Sequence, residues 1–195
     1  GQRNYFHKQN EYYECNMKTS QDSPLEIDFV YAPDSAGRIG MTFCPGKKQR
    51  GAMTGDWCRD LALDFEVIQA WGATVIVNLI EDHEMVALNV QDTVQHVPAG
   101  IQYMRLPIPD LGVPSPAWHE QWHLESPLLL GRLRRGESIL LHCKGGLGRP
   151  GMIAARILAE LGRSPDDAIK AVRQARAGTI ETGEQEAYVR ALKHG

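Results

Sequence analysis

Two stretches of the chain are apolar on successive residues rather than on alternate ones: residues 73–80 (ATVIVNLI) and Ile139, Leu140 and Leu141, just before His142 and Cys143. A strand with one wet face alternates apolar and polar side chains, so an unbroken β-branched run predicts a strand covered on both faces, as in a parallel sheet between helices. Helical spacing appears over residues 56–71, with Leu61, Phe65 and Ile68 inward and Gly72 as the stop. It returns, apolar nearly all round, at Met152, Ile153, Ala154, Ala155, Ile157, Leu158 and Leu161, closed by Gly162 at the C′ position. Ser164, Pro165, Asp166 and Asp167 read as a cap, a first-turn proline and two acids at the positive end of a further helix, with Ile169 and Val172 inward. Residues 27–31 and 40–43 predict a hairpin or meander around Pro33, Asp34, Ser35 and Gly37, and residues 102–106 a short strand.

These elements predict a single α/β domain with a mostly parallel central sheet flanked by helices on both faces. Residues 1–24 are polar, sprinkled with aromatics and aperiodic, which predicts an N-terminal arm ahead of a domain over residues 25–195. Residues 45–51 (PGKKQRG) form a basic loop, read as solvated, with contact to an anionic substrate as the alternative.

At 195 residues the chain is long enough for one sizeable core, and its 43 % hydrophobic and 23 % charged content is ordinary for a globular protein. A formal net charge of −3 argues against wholesale binding of a nucleic acid duplex, so any preference for phosphate must be local. Cys15, Cys44, Cys58 and Cys143 have neither zinc-finger spacing nor the density of a disulfide scaffold, which points to a reducing, cytoplasmic setting. No signal peptide is read, and no apolar run is long enough for a membrane span.

The local chemistry sits between the second buried strand and the apolar helix. There Cys143, Lys144, Gly145, Gly146, Leu147, Gly148 and Arg149 make a glycine-rich arc whose N–H groups can turn inward while the helix points its positive end at the same place. Arg149 adds a planar fork matched to phosphate oxygens. Those surroundings favour a thiolate, which predicts for Cys143 a pKa in the range of roughly 3.5–7.5. Glu81, Asp82, His83 and Glu84 crowd the carboxyl end of the first buried strand, where open α/β sheets bind ligands; they read as a solvated helix start, with a role in the site as the alternative.

The run HCKGGLGRPG resembles the active-site loop of the cysteine-dependent protein tyrosine phosphatases, in the dual-specificity branch, and within it the group of the cyclin-dependent-kinase-associated phosphatase and its bacterial relatives. The likeness extends from about Cys44 to the C-terminus. It implies hydrolysis of phosphomonoesters (phosphotyrosine, phosphoserine or phosphothreonine) through a phosphocysteine, with no metal or other cofactor. By the same resemblance Cys143 is the nucleophile, Arg149 the phosphate clamp, and residues 144–148 the N–H cradle. Asp110, within PIPDLGVP, becomes the general acid and then base, and Gln185, within IETGEQ, orients the hydrolytic water. Pro150 departs from the pattern, which has Ser or Thr there; as a helix opener at N1 it fits, but it lacks the hydroxyl that helps sulfur leave. Three alternatives follow: a phosphoresidue-binding protein with little turnover, a phosphoinositide or RNA phosphatase with Lys144 at its mouth, and, remotely, a zinc metalloprotease. The last comes from His119, Glu120 and His123 (HEQWH), with Glu137 as an awkward third ligand.

Overall fold

The computed structural model describes residues 17–193. In chain order its strands are β1 (Met17–Lys18), β2 (Asp28–Tyr31), β3 (Arg38–Thr42), β4 (Lys48–Ala52), β5 (Gly55–Cys58), β6 (Ala73–Asn78), β7 (Gln102–Arg105) and β8 (Ser138–His142). The helices are α1 (Leu61–Trp71), α2 (Asp82–Ala87), α3 (Pro116–Arg134), α4 (Gly148–Glu160), α5 (Pro165–Ala175) and α6 (Gly183–Arg190), with a 3₁₀ turn at Thr93–His96. The main sheet has the order β2-β3-β8-β6-β7; β2 is an antiparallel edge and the other pairings are parallel.

The unbroken apolar runs have the expected cause. In β6 and β8, Val75, Val77, Ile139 and Leu141 join one core cluster, where they meet Trp122, Leu129 and Leu133 of α3, Ile153 and Ile157 of α4, and Ile169 and Val172 of α5. Ile76 and Leu140 join the cluster on the other face, with Phe65 and Ile68 of α1, Phe43 and Trp57. Alternate residues of one strand thus serve two cores. Every residue of β8 is buried.

Three sequence expectations need correction. The basic loop at 45–51 is in part a strand: β4 pairs antiparallel with β5, and β1 adds to β5 in a small separate sheet. Alternating apolar residues are missing there because little of β4 is buried, so no pattern marked it. The helix expected over 56–71 starts only at Leu61, since Asp60 is its cap and accepts from the Leu63 N–H. Of the expected N-terminal arm, residues 1–16 lie outside the described residues, and residues 17–24 are tied to the body.

The tie is a buried ion pair. Arg59 Nε and Nη2 each reach a carboxylate oxygen of Asp64 at 2.9 Å, and the two side chains are almost fully buried. Asp64 also accepts from Ser20 Oγ and from the Gly46 N–H, while Arg59 Nη1 donates to the Ser23 carbonyl. Nearly every lone pair and proton is used, so removing one partner would strand the other's charge. Asp64→Ala should cost about 3–5 kcal/mol in denaturant unfolding; a loss below about 1 kcal/mol would show that the segment 17–24 is not anchored there.

Candidate active site

The parallel strands deliver their following loops to one edge. Pairing continues past the strands themselves: the Leu79 N–H donates to the His142 carbonyl at 3.0 Å and the Ile108 N–H to the Leu79 carbonyl at 2.9 Å. The segments after β6, β7 and β8 are therefore laid side by side, carrying Glu84, Asp110 and Cys143. This is the carboxyl edge at which ligands enter open α/β sheets.

The arc after β8 curls tightly over the end of β3. Gly146 has φ +79°, and a Cβ there would come within 2.5 Å of the Phe43 nitrogen and the Thr42 carbonyl carbon. Only glycine permits that approach. Its N–H donates to Cys143 Sγ at 3.1 Å. At the far end the expected cradle is altered, because the Gly148 N–H donates to Glu181 Oε1 at 2.8 Å. An exposed carboxylate thus occupies an N–H expected for phosphate.

Arg149 is 1 % exposed, and its fork is not free. Nη1 and Nη2 both hold Glu84, at 2.7 and 2.8 Å; Nη1 also donates to the Ile108 carbonyl at 3.0 Å, and Nη2 lies 3.3 Å from Asp110 Oδ1. Glu84 is therefore no solvated residue of a helix start. Burial, the largest single influence, pushes its carboxyl up, but the Arg149 hydrogen bonds, the bond from the Glu81 N–H and the nearby positive charge together hold it below the ordinary range. What remains of the guanidinium is Nε, buried and without a partner. An orphaned charged donor beside an N–H arc is the mark of a site built for an oxyanion.

Cys143 is 3 % exposed. Burial pushes its thiol up; Arg149 and the N–H groups of Gly146 and Gly145 pull it down, Asp110 adds to the rise, and the balance lies above the ordinary thiol value. The depressed value expected from sequence is thus corrected, and the first cause is burial of the sulfur, which the pull of Arg149 and of the two N–H groups does not offset.

The remaining candidates fall as follows. Asp110 is exposed, and its Oδ1 also accepts from the Leu111 N–H. Gln185 is fully buried: Oε1 accepts from the Glu181 N–H and Nε2 donates to the Gly112 carbonyl, so it braces the Asp110 loop against the segment before α6. Lys144 and Leu147 are half-buried in the arc, and Gly145 is exposed. Pro150 is the third residue of α4, not the first, and is buried. Its missing N–H costs no bond, because the Gly146 carbonyl one turn back already accepts from Arg176. The zinc pattern dissolves: His119 stacks on and hydrogen-bonds to Tyr188, His123 is exposed, and Glu137 pairs with Arg132 and Arg135.

A family model described as "Polymorphic toxin system, DSP-PTPase phosphatase" matches residues 52–163, more than half of the chain. The chain belongs to that family. The matched segment contains Glu84, Asp110, Cys143 and Arg149. A curated relative from Rattus norvegicus, cyclin-dependent kinase inhibitor 3, is 28% identical over 175 residues, covering 87% of this chain and 79% of its own length. Among solved structures, kinase associated phosphatase, with its catalytic-site cysteine replaced by serine, is similar with a TM-score of 0.72 and 27% identity over 85% of this chain and 92% of that one. The active form of Tk-PTP is similar with a TM-score of 0.55 and 27% identity over 77% of this chain and 87% of that one. The DSP-PTPase chain described here is thus a cysteine-dependent protein phosphatase of the dual-specificity branch, near kinase associated phosphatase.

Glu181 yields a direct check. With its carboxylate removed from the Gly148 N–H, an oxyanion has no competitor for that donor, and Glu181→Ala should bind sulfate three- to tenfold more tightly, the equivalent of about 1 kcal/mol. Calorimetric titration reads the affinity, and an unchanged value would show that the carboxylate does not obstruct the cradle.

Proposed function

We propose that the protein hydrolyses phosphomonoesters of phosphoproteins in two steps through a phosphocysteine at Cys143. The observation that carries this reading is the unpartnered Arg149 Nε beside the N–H arc over Cys143 Sγ, with Asp110 on the same guanidinium. The phosphoryl oxygens take the inward N–H groups of residues 144–147 and Arg149 Nε, and that of Gly148 once Glu181 withdraws. Sγ attacks phosphorus, forming P–S as the ester P–O bond breaks, and the leaving oxygen takes the proton of Asp110. Water then attacks, gives its proton to Asp110, and P–S breaks to release orthophosphate and the thiolate.

Residues 25–195 act as the catalytic unit in this reading. Gln185 serves as a positioning residue under the Asp110 loop, and orients water only after releasing Gly112. Phosphoprotein is preferred over lipid or RNA because the similar solved structure is described as a kinase associated phosphatase. Among the described residues no helix is long and apolar enough to cross a membrane. A reducing compartment suits the free thiols of Cys44, Cys58 and Cys143.

In this reading only the state with Cys143 as thiolate and Asp110 protonated reacts. Acid removes the thiolate and base removes the acid's proton, so kcat/KM on an aryl phosphate should be bell-shaped in pH. Asp110→Asn should abolish the basic limb; a limb that persists would assign it to another group.

Pro150 leaves Sγ without a hydroxyl from the first turn of α4, which slows the step in which sulfur leaves. Pro150→Thr should raise kcat and shrink a pre-steady-state burst, measured by rapid quench. A wild-type protein with no burst and an unchanged kcat in the variant would dismiss this, and release of a single equivalent with trapped phosphocysteine would mark a binding protein instead.

A further inference from the structure

Lys47, within the stretch expected to be a solvated loop, is 3 % exposed. Its ammonium lies 4.1 Å from the centre of the Trp57 ring and 4.9 Å from that of Phe43, and it donates to the Lys144 carbonyl oxygen at 3.2 Å. The charged groups that act most strongly on it are Cys44, Cys143, Arg59 and Lys144. It lies outside the segment matched by the family model.

A trans peptide is planar, with the carbonyl of one residue opposite the N–H of the next. The Lys144 carbonyl is held by Lys47 Nζ and by the Cys44 N–H at 3.3 Å, so the Gly145 N–H faces the other way, onto Cys143 Sγ. Two further peptides of the arc are pinned from outside. The Cys143 carbonyl accepts from His142 Nδ1 at 3.3 Å, and the Gly146 carbonyl from Arg176 Nε at 2.8 Å. The N–H groups of Lys144 and Leu147 are thereby turned inward.

The three props differ in charge. Burial pushes His142 down to about 4, so it is neutral near pH 7. Arg176 is paired with Asp28 at 2.8 Å. Arg149, inside the site, carries both Glu84 and Asp110. Lys47 is pushed down to about 8, by burial first, with Cys44 and Cys143 pulling the other way. Burial pushes the Cys44 thiol up to about 12.

We propose that Lys47 is a positioning residue of this phosphatase: from behind the arc it fixes the peptide between Lys144 and Gly145, so that the Gly145 N–H faces Cys143 Sγ, and it places a cation behind that peptide that favours the thiolate. The inference rests on Cys143 being the nucleophile. Three consequences are measurable without substrate: the thiol titration, the lysine titration, and the dependence of each on the other.

Alkylation of Cys143 by iodoacetamide, followed across pH by mass spectrometry of its peptide, reads the thiolate. In Lys47→Met the midpoint should rise by about one unit, so that the rate at pH 6 falls roughly tenfold; kcat/KM should fall in step. A folded Lys47→Met protein with the wild-type alkylation profile overturns the proposal. Should that variant not fold, the reciprocal measurement decides. The Lys47 side-chain resonance, titrated by NMR, should have a lower midpoint in Cys143→Ser than in wild type, because the neighbouring anion is gone; equal midpoints overturn the proposal. A protein that passes either titration yet turns over no phosphate ester would instead refute the two-step hydrolysis.

Discussion

The guanidinium of Arg149 is the point at which three strand-end loops become one site. Its own helix follows β8, its bidentate partner Glu84 follows β6, and Ile108 and Asp110 follow β7. A buried ion pair adds little to stability, because desolvation of both charges offsets their attraction. Its effect here is on geometry. A planar fork satisfied along its Nη1 and Nη2 edge cannot rotate, so Nε is aimed rather than free to search. The same bonds hold the Asp110 loop over the arc. Charge, orientation and loop closure are set by one residue that the core could not have accommodated without Glu84.

What could be read in the sequence divides along the range of the interactions concerned. The strands β6 and β8, the helix α4, the cap of α5 at Ser164 and the arc from Cys143 to Arg149 are written in runs of adjacent residues, and local pattern found them. Missed features depend on partners far along the chain. Lys47 reads as solvated because its neighbours in sequence are polar; its surroundings, Trp57 and the Lys144 carbonyl, come from elsewhere. Glu84 was visible as one of four polar residues at a strand end, but nothing local says which of them turns inward to meet a residue 65 positions later. The thiol of Cys143 was misjudged because burial, which pushes it up, belongs to the folded chain and is not written in its loop.

Backbone strain gathers beside the site. Leu111, next to Asp110, and Ile180, next to Glu181, both have φ +59°, a region costly for bulky and especially β-branched side chains. In each case the unusual residue aims a neighbouring carboxylate at the site, one toward Arg149 and the other toward the Gly148 N–H. Gln185 connects them, taking the Glu181 N–H at one end and reaching the Gly112 carbonyl at the other. The loop of the acid and the loop of the obstructing carboxylate are therefore linked through a buried amide.

Burial is the first reason that the Cys143 thiol is raised, and the charges around it act on top of that. Arg149 faces two carboxylates, and Glu181 stands on the helix end. In the proposed hydrolysis the entering phosphoryl dianion meets these carboxylates, and a proton carried by Asp110 both lessens that repulsion and removes the charge by which Asp110 adds to the rise of the Cys143 thiol. Lys47, enclosed by Phe43 and Trp57 and bonded to the Lys144 carbonyl, puts a cation behind the arc rather than inside the site.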